Sequence, residues 1–229
     1  VGPVTRWFRT NTFYRKPLVG GKIDCDGSEL SQYLPAVENG VVFFLGPYSF
    51  ARLVENSFYS SECDLAVDYC KALAKNMPAL KQKGYCCVLL LEPAVGFDLS
   101  KNSFQKPAWY SQAVDAFAGV TYGVHFPLAD AGKVLDCVED SRANFVGIDC
   151  IYTPRPKEVK TKKSILLGLV DGARASVEDA GLLQKHAAFF LENAEFSGEY
   201  YIGPNNRLYD VPFQTALAKI NLLSAFSPL

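Results

Sequence analysis

The chain has 229 residues, 49 % hydrophobic and 21 % charged, with a formal net charge of −1. That apolar content excludes a disordered chain and supplies the core of one large domain. The near-zero charge gives no basic field for nucleic acid, and no run of about 18 apolar residues offers a membrane span.

No linker, low-complexity segment or internal repeat is visible, so a single domain over residues 1–229 is expected. No signal peptide is visible either, which points to a cytoplasmic protein. The seven cysteines, Cys25, Cys63, Cys70, Cys86, Cys87, Cys137 and Cys150, are odd in number and contain no CxxC pair. Reduced thiols, mostly buried, are the simplest reading.

Taken in chain order, Thr10 to Tyr14 could form a first short strand. Val41 to Leu45 is an apolar strand closed by Gly46-Pro47. The spacing of Leu65, Val67, Tyr69, Cys70, Leu73, Met77 and Leu80 predicts a helix over 63–83. Pro78 should kink or divide it, and Gly84 should stop it. Cys86 to Leu91 is a strand closed by Glu92-Pro93. Val120 to His125 is the next strand, followed by a short helix over 129–138 with Asp130 as N-cap. Phe145 to Ile151 and Ile165 to Val170 read as strands. The basic patch from Arg155 to Lys163 reads as a solvated loop. Ser176 and Asp179 resemble a capping box opening a helix to Leu191. A strand over 199–202 and a helix over 211–226 close the chain.

Continuous apolar strands alternating with helices predict an α/β fold with parallel strands covered on both faces. A (β/α)8 TIM barrel needs typically about 250 residues, so such a barrel would lack its first strand or be truncated there.

In a barrel the residues just after each strand gather at one mouth. Those are Asn11, the Gly46-Pro47-Tyr48-Ser49 turn, Glu92, His125, Asp149, Asp171 and Asn206. Each also has a structural reading. Glu92 could cap a helix or form an ion pair, His125 could be a satisfied core residue, and Asp171-Gly172 could be a plain turn. A buried carboxylate needs a partner or a function, so Glu92, His125 and Asp149 are the candidate catalytic groups. His186 lies on a helix and reads as a surface or core residue. No glycine-rich phosphate loop or GxSxG is present, and the metal-ligand spacing is poor, although His125, Asp149 and Glu92 could meet.

These segments together resemble a family. Trp7-Phe8-Arg9-Thr10-Asn11-Thr12-Phe13-Tyr14 resembles the W-F-D/N-T-N-Y-H-Y segment of cobalamin-independent methionine synthase. Leu45-Gly46-Pro47-Tyr48-Ser49-Phe50 is similar to its L-G-P-x-T-[FW], and Leu91-Glu92-Pro93-Ala94-Val95 to its D-E-P-A-L. Gly168-Leu169-Val170-Asp171-Gly172-Ala173-Arg174 resembles G-[LV]-[IV]-[ND]-G-R-N. Gly203-Pro204-Asn205-Asn206-Arg207-Leu208 resembles the segment that bears the family's late cysteine. The resemblance implies a TIM barrel. It also implies transfer of a methyl group from a methyl-pterin to homocysteine, on a zinc ion held by a His-x-Cys pair, a Glu and that late Cys.

This chain departs from the implied ligand set. Pro127 replaces the paired cysteine, Asp149 is nearest the glutamate, and Asn206 stands for the late cysteine. Leu91 replaces the D-E-P aspartate, a substrate-holding position. The resemblance is therefore to the metal-free, N-terminal type of barrel. No bound cofactor and no zinc are expected, and methyl-pterin becomes a co-substrate candidate. Asn11, Tyr48, Ser49, Asp171, Arg174 and Asn206 become ligand-binding candidates. The expected partner is a separate zinc-bearing catalytic methionine synthase subunit. The alternative is a metal-independent barrel that binds or decarboxylates a tetrapyrrole-like or other carboxylated ligand, as the related uroporphyrinogen decarboxylases do. Arg6, Arg9, Arg15, Lys16, Arg174 and Arg207 would then meet its carboxylates.

Overall fold

The apolar runs of the sequence become strands, and prolines directly after two of them start helices. The computed structural model describes residues 2–6 and 13–226. Asn11 lies outside the described residues, as does most of the Trp7–Tyr14 motif.

The chain forms two compact units, Val1–Val124 with Asp140–Asn144, and His125–Glu139 with Phe145–Leu229. The first unit begins with β1 (Val4–Arg6) paired antiparallel to β2 (Phe13–Arg15). Of the short strand expected over 10–14, Phe13 and Tyr14 fall in β2, and the rest lies outside the described residues. β3 (Leu18–Val19) is followed by β4 (Gly40–Leu45), α1 (Pro47–Leu53) and β5 (Glu55–Asn56), and β3 pairs with β5.

The helical segment expected over 63–83, kinked or divided near Pro78, is divided into α2 (Glu62–Lys75) and α3 (Met77–Gln82). The break falls at Asn76, which ends α2 and caps α3. Pro78 sits in the first turn of α3, where its missing N–H costs nothing. Ser61 caps α2 by accepting the N–H groups of Cys63 and Asp64. Gly84 stops α3 in the left-handed region at φ +91°, where a side chain would strike the Val37 carbonyl.

β6 (Tyr85–Leu91), α4 (Pro93–Ser100), α5 (Tyr110–Val114) and β7 (Thr121–His125) follow. Neither α1 nor α4 is among the expected helices; Gly46 to Ser49 is expected as a turn and Glu92-Pro93 as the close of a strand. A proline at the first helical position supplies the φ that starts each. Val88, Leu90, Ala94, Val114 and Leu80 are fully buried in this unit.

In the second unit the helix expected over 129–138 is broken. A 3-10 turn over Ala131–Lys133, capped by Asp130, leads to the short α6 (Asp136–Glu139). β8 (Phe145–Asp149), β9 (Ser164–Val170), α7 (Ala180–Asn193), β10 (Tyr200–Pro204) and α8 (Phe213–Ser224) complete the chain. The cap of α7 is Asp179, whose Oδ1 accepts the Leu182 N–H at 2.9 Å, so the helix starts after it and not at Ser176. The basic patch is a loop whose Arg155 and Lys160 pair with Glu158 and Glu195.

Six strands form one sheet in the order β10-β9-β8-β7-β6-β4. β4 pairs parallel with β6, β8 with β9, and β9 with β10. The fold is mixed α/β, and its sheet among the described residues has six strands where a full barrel has eight. All seven cysteines are free. Cys70, Cys137 and Cys150 are buried as expected, whereas Cys86 at the start of β6 is exposed. No helix among the described residues is long and apolar enough to cross a membrane.

The C-terminal helix is anchored by charge. Lys219 is the only buried residue of α8, and Phe213, Leu217 and Ile220 face outward. Lys219 Nζ donates to both oxygens of Glu178 at 2.8 Å. Glu178 Oε1 also accepts the Asp171 N–H at 2.9 Å, so the pair ties α8 to the end of β9. Truncation would strand a carboxylate whose side chain is only 22 % exposed. Lys219→Ala is expected to cost about 3 kcal/mol, read from chemical denaturation. The double variant Lys219→Met/Glu178→Gln, which keeps the acceptor for Asp171 but buries no charge, is expected to recover part of that loss.

Candidate functional site

Two buried carboxylates sit at strand ends, one in each unit. In the first unit Glu92 directly follows β6 and is fully buried. Its Oε1 accepts the Tyr48 N–H and the Tyr110 hydroxyl, each at 3.0 Å, and its Oε2 accepts the Ser49 N–H at 2.7 Å. Tyr48 and Ser49 lie in the first turn of α1, whose leading N–H groups have no partner within the helix. Glu92 therefore supplies the capping acceptor that Gly46 cannot.

The reverse contact is also made, because Ser49 Oγ accepts the Ala94 N–H of α4 at 3.0 Å. Gly46 is required by this packing, since a Cβ there would overlap the Glu92 carboxylate. The Tyr48 hydroxyl donates to Asp98 at 2.7 Å, and Arg52 Nε reaches the same oxygen at 3.0 Å. Burial pushes the Glu92 carboxyl up to about 7, against the pull of its Ser49, Tyr48 and Tyr110 donors. Glu92, Tyr48 and Ser49 thus form one hydrogen-bonded set.

In the second unit His125, Asp149 and Asn205 are all at most 2 % exposed and touch one another. Asp149 ends β8. Its Oδ2 accepts the Leu128 N–H at 2.7 Å, and its Oδ1 accepts the N–H groups of Ile151 at 3.0 Å and Tyr152 at 3.2 Å. Asn205 Nδ2 donates to both oxygens at 3.1 and 3.2 Å. Burial pushes the Asp149 carboxyl up, and the Leu128 N–H and His125 oppose that shift.

Leu128 sits at φ +64°, a left-handed conformation rare for a bulky residue. The short bond to Asp149 holds it there, so strain is stored in the turn that follows His125.

His125 ends β7. Its Nε2 lies 2.6 Å from the Asn205 carbonyl oxygen, and its Nδ1 has no hydrogen-bond partner among the described residues. The ring lies against Gly147, where any Cβ would overlap it.

The remaining candidates flank this cluster. Asp171 Oδ1 accepts the Ala173 N–H at 2.9 Å, and its Oδ2 pairs with Arg174 at 3.3 Å, with the Arg174 side chain 78 % exposed. Asn206 is half-buried, and its Oδ1 accepts the N–H of Arg207, whose guanidinium lies over Tyr209.

Asn205 is the residue that sequence reasoning passed over in favour of Asn206. It joins four strand ends. It meets His125 and Asp149, accepts the Gly172 N–H on Oδ1 at 2.9 Å, and donates its own N–H to Val170 at 2.8 Å. No local signal separates the two asparagines, because β10 ends at Pro204 after a register shift and Tyr201, of the same parity as 203 and 205, is exposed.

No family model matches the chain. Among curated proteins, the methionine synthase of Sulfurisphaera tokodaii is 33 % identical over 120 residues, covering 50 % of this chain and 33 % of that protein. The methionine synthase of Saccharolobus solfataricus is 26 % identical over 191 residues, covering 77 % and 55 %. Among solved structures, a B12-independent methionine synthase from Shewanella sp. W3-18-1, in complex with selenomethionine, matches with a TM-score of 0.65. That likeness is at 17 % identity over 94 % of this chain and 67 % of the other. A putative B12-independent methionine synthase from Listeria monocytogenes gives 0.54 at 13 % identity, covering 82 % and 64 %.

The chain is similar in sequence to methionine synthases and in fold to B12-independent ones. It spans a third to about half the length of the two curated relatives. The segments resembling methionine synthase motifs fall at strand ends. Leu45–Phe50 and Leu91–Val95 meet around Glu92, and the loops after β9 and β10 meet around Asn205. Among the described residues of this methionine synthase-like chain, no group of three or more His, Cys, Asp or Glu could hold a metal ion.

A carboxyl raised from 4.5 to about 7 binds a proton in the folded state that the unfolded chain releases. Stability from Glu92 is thus greatest below about 4.5 and is lost as pH rises toward 7. Denaturation of the wild type and of Glu92→Gln from pH 5 to 8 should show the wild type losing stability relative to the variant as pH rises. A parallel pair of curves would show that Glu92 is ionised throughout.

Proposed function

We propose that this chain binds the methyl-pterin donor in methyl transfer of the methionine synthase kind and leaves activation of the thiol acceptor to a separate zinc-bearing subunit. The fold reading that accompanies it is a barrel of the (β/α)8 type, to which the described residues contribute six strands. The likeness in fold to two methionine synthases and the kinship with curated ones support this reading.

The observation that carries the zinc-free part is the donor set around Asn205. Zinc is held by thiolates, imidazoles or carboxylates whose lone pairs point at the ion. Here the Asp149 oxygens are taken by N–H groups, and His125 Nε2 faces a carbonyl. The thiol next in sequence, Cys150, is buried and pushed well above its ordinary range, so it is no thiolate. An amide stands where a thiolate would be needed. Zinc does not fit this set, and no step is routed through it.

The chain's own residues supply hydrogen-bond donors, acceptors and shape. The Asp171–Arg174 pair and Asn206 lie on the two loops that Asn205 holds together. A pterin ring, flat and edged with donors and acceptors, is the ligand such loops can grip.

Elemental analysis together with calorimetry on the purified protein tests this reading. Less than about one-tenth equivalent of zinc, binding of methyl-pterin, and methyl transfer only when a zinc-bearing methionine synthase subunit is added are expected. Near-stoichiometric zinc, or methyl transfer by the protein alone, would overturn it.

A further inference from the structure

A buried hydrogen-bonding atom without a partner is costly and calls for an explanation. His125 Nδ1 is such an atom, on a residue only 2 % exposed. Its cause lies at the opposite side of the ring. The Asn205 carbonyl 2.6 Å from Nε2 can only accept, so in the neutral ring the hydrogen must sit on Nε2. Nδ1 then carries a lone pair.

The carbonyl is itself held in place. Asn205 Nδ2 donates to Asp149, and its Oδ1 accepts the Gly172 N–H. Gly172 allows that close approach, because a Cβ there would lie 2.7 Å from the Arg207 and Asn206 carbonyl oxygens. The ring cannot slide away, because it is seated on Gly147.

We propose that Asn205 is a positioning residue that fixes the Nε2–H tautomer of His125, so that Nδ1 presents a lone pair to a ligand's hydrogen-bond donor. The role of that ligand as a methyl-pterin rests on the function proposed above, whereas the tautomer does not. A reduced pterin carries ring and amino N–H groups able to fill Nδ1.

The chain has two histidines, which makes the test direct. Nitrogen–proton correlation spectra of the imidazole rings distinguish the two neutral tautomers. The wild type should show His125 in the Nε2–H pattern. Asn205→Ala removes both side-chain tethers. Asn205→Asp keeps the acceptor for Gly172 but turns an oxygen toward Asp149. Both variants should lose that pattern while His186, packed edge-on against Phe190 at 5.2 Å, keeps its wild-type signals and reports an intact fold. An Nδ1–H pattern in the wild type would overturn the proposal, as would an unchanged His125 in the folded Asn205→Asp protein. Adding methyltetrahydrofolate to the wild type should shift the Nδ1 resonance and spare Nε2. If the tautomer is as stated but methyltetrahydrofolate leaves Nδ1 unmoved, the tautomer role stands and the pterin role fails.

Discussion

A carboxylate taken out of water at the end of a strand and clasped by backbone N–H groups is the constraint on which the site end of each unit depends. Glu92 does this for the first unit and Asp149 for the second. Burying an acid is costly unless its lone pairs are met, and the leading N–H groups of a helix or tight turn are costly unless something accepts from them. Each solves the other's problem. Glu92 fills the start of α1, and Ser49 of α1 fills the start of α4 in return. Two strand-to-helix junctions are thereby locked by two side chains.

That reciprocity explains sequence features that have no meaning one at a time. Gly46 must be glycine because the Glu92 carboxylate occupies the space a side chain would take. Pro47 and Pro93 start helices whose next donors are already spoken for. In the second unit Gly147 plays the part of Gly46, leaving room for an imidazole in place of a carboxylate. Leu128 shows the other side of the exchange, because Asp149 holds its backbone in a conformation it would not choose alone.

Strands were the most legible part of the sequence, since an unbroken run such as Cys86 to Leu91 has few other uses. β4 and β6 to β10 differ from the expected strands by at most two residues at either end, whereas the short β1, β3 and β5 were not expected. The helices α1 and α4 were not legible because they are short and begin at the Gly-Pro and Glu-Pro pairs that also read as turns. The break at Asn76 was displaced from Pro78 because proline is tolerated in a first turn, so the chain ends one helix and starts the next just before it. Glu92, His125 and Asp149 were legible as polar residues closing apolar strands. Their partners were not, because hydrogen bonds across 43 or 56 residues leave no local trace. Asn205 was missed by one position, because β10 ends at Pro204 and the partners that single Asn205 out lie on other strand ends.

The amide of Asn205 suits this strand end for a physical reason. A thiolate only accepts, and buried without a cation it would be an uncompensated charge. An asparagine amide both donates and accepts. Asn205 can therefore hold the Asp149 carboxylate with one end and the Gly172 N–H with the other, while its own backbone carbonyl meets the His125 ring. An ion would satisfy several anionic ligands at a single point. Here the strand ends are satisfied by dipoles, and the Asp149 carboxylate is met by N–H groups. Among the described residues, one buried side-chain nitrogen or oxygen is left without a hydrogen-bond partner, His125 Nδ1. The nitrogen left open is the place where a bound molecule with a donor gains most, because filling it removes a cost that the folded protein otherwise carries alone.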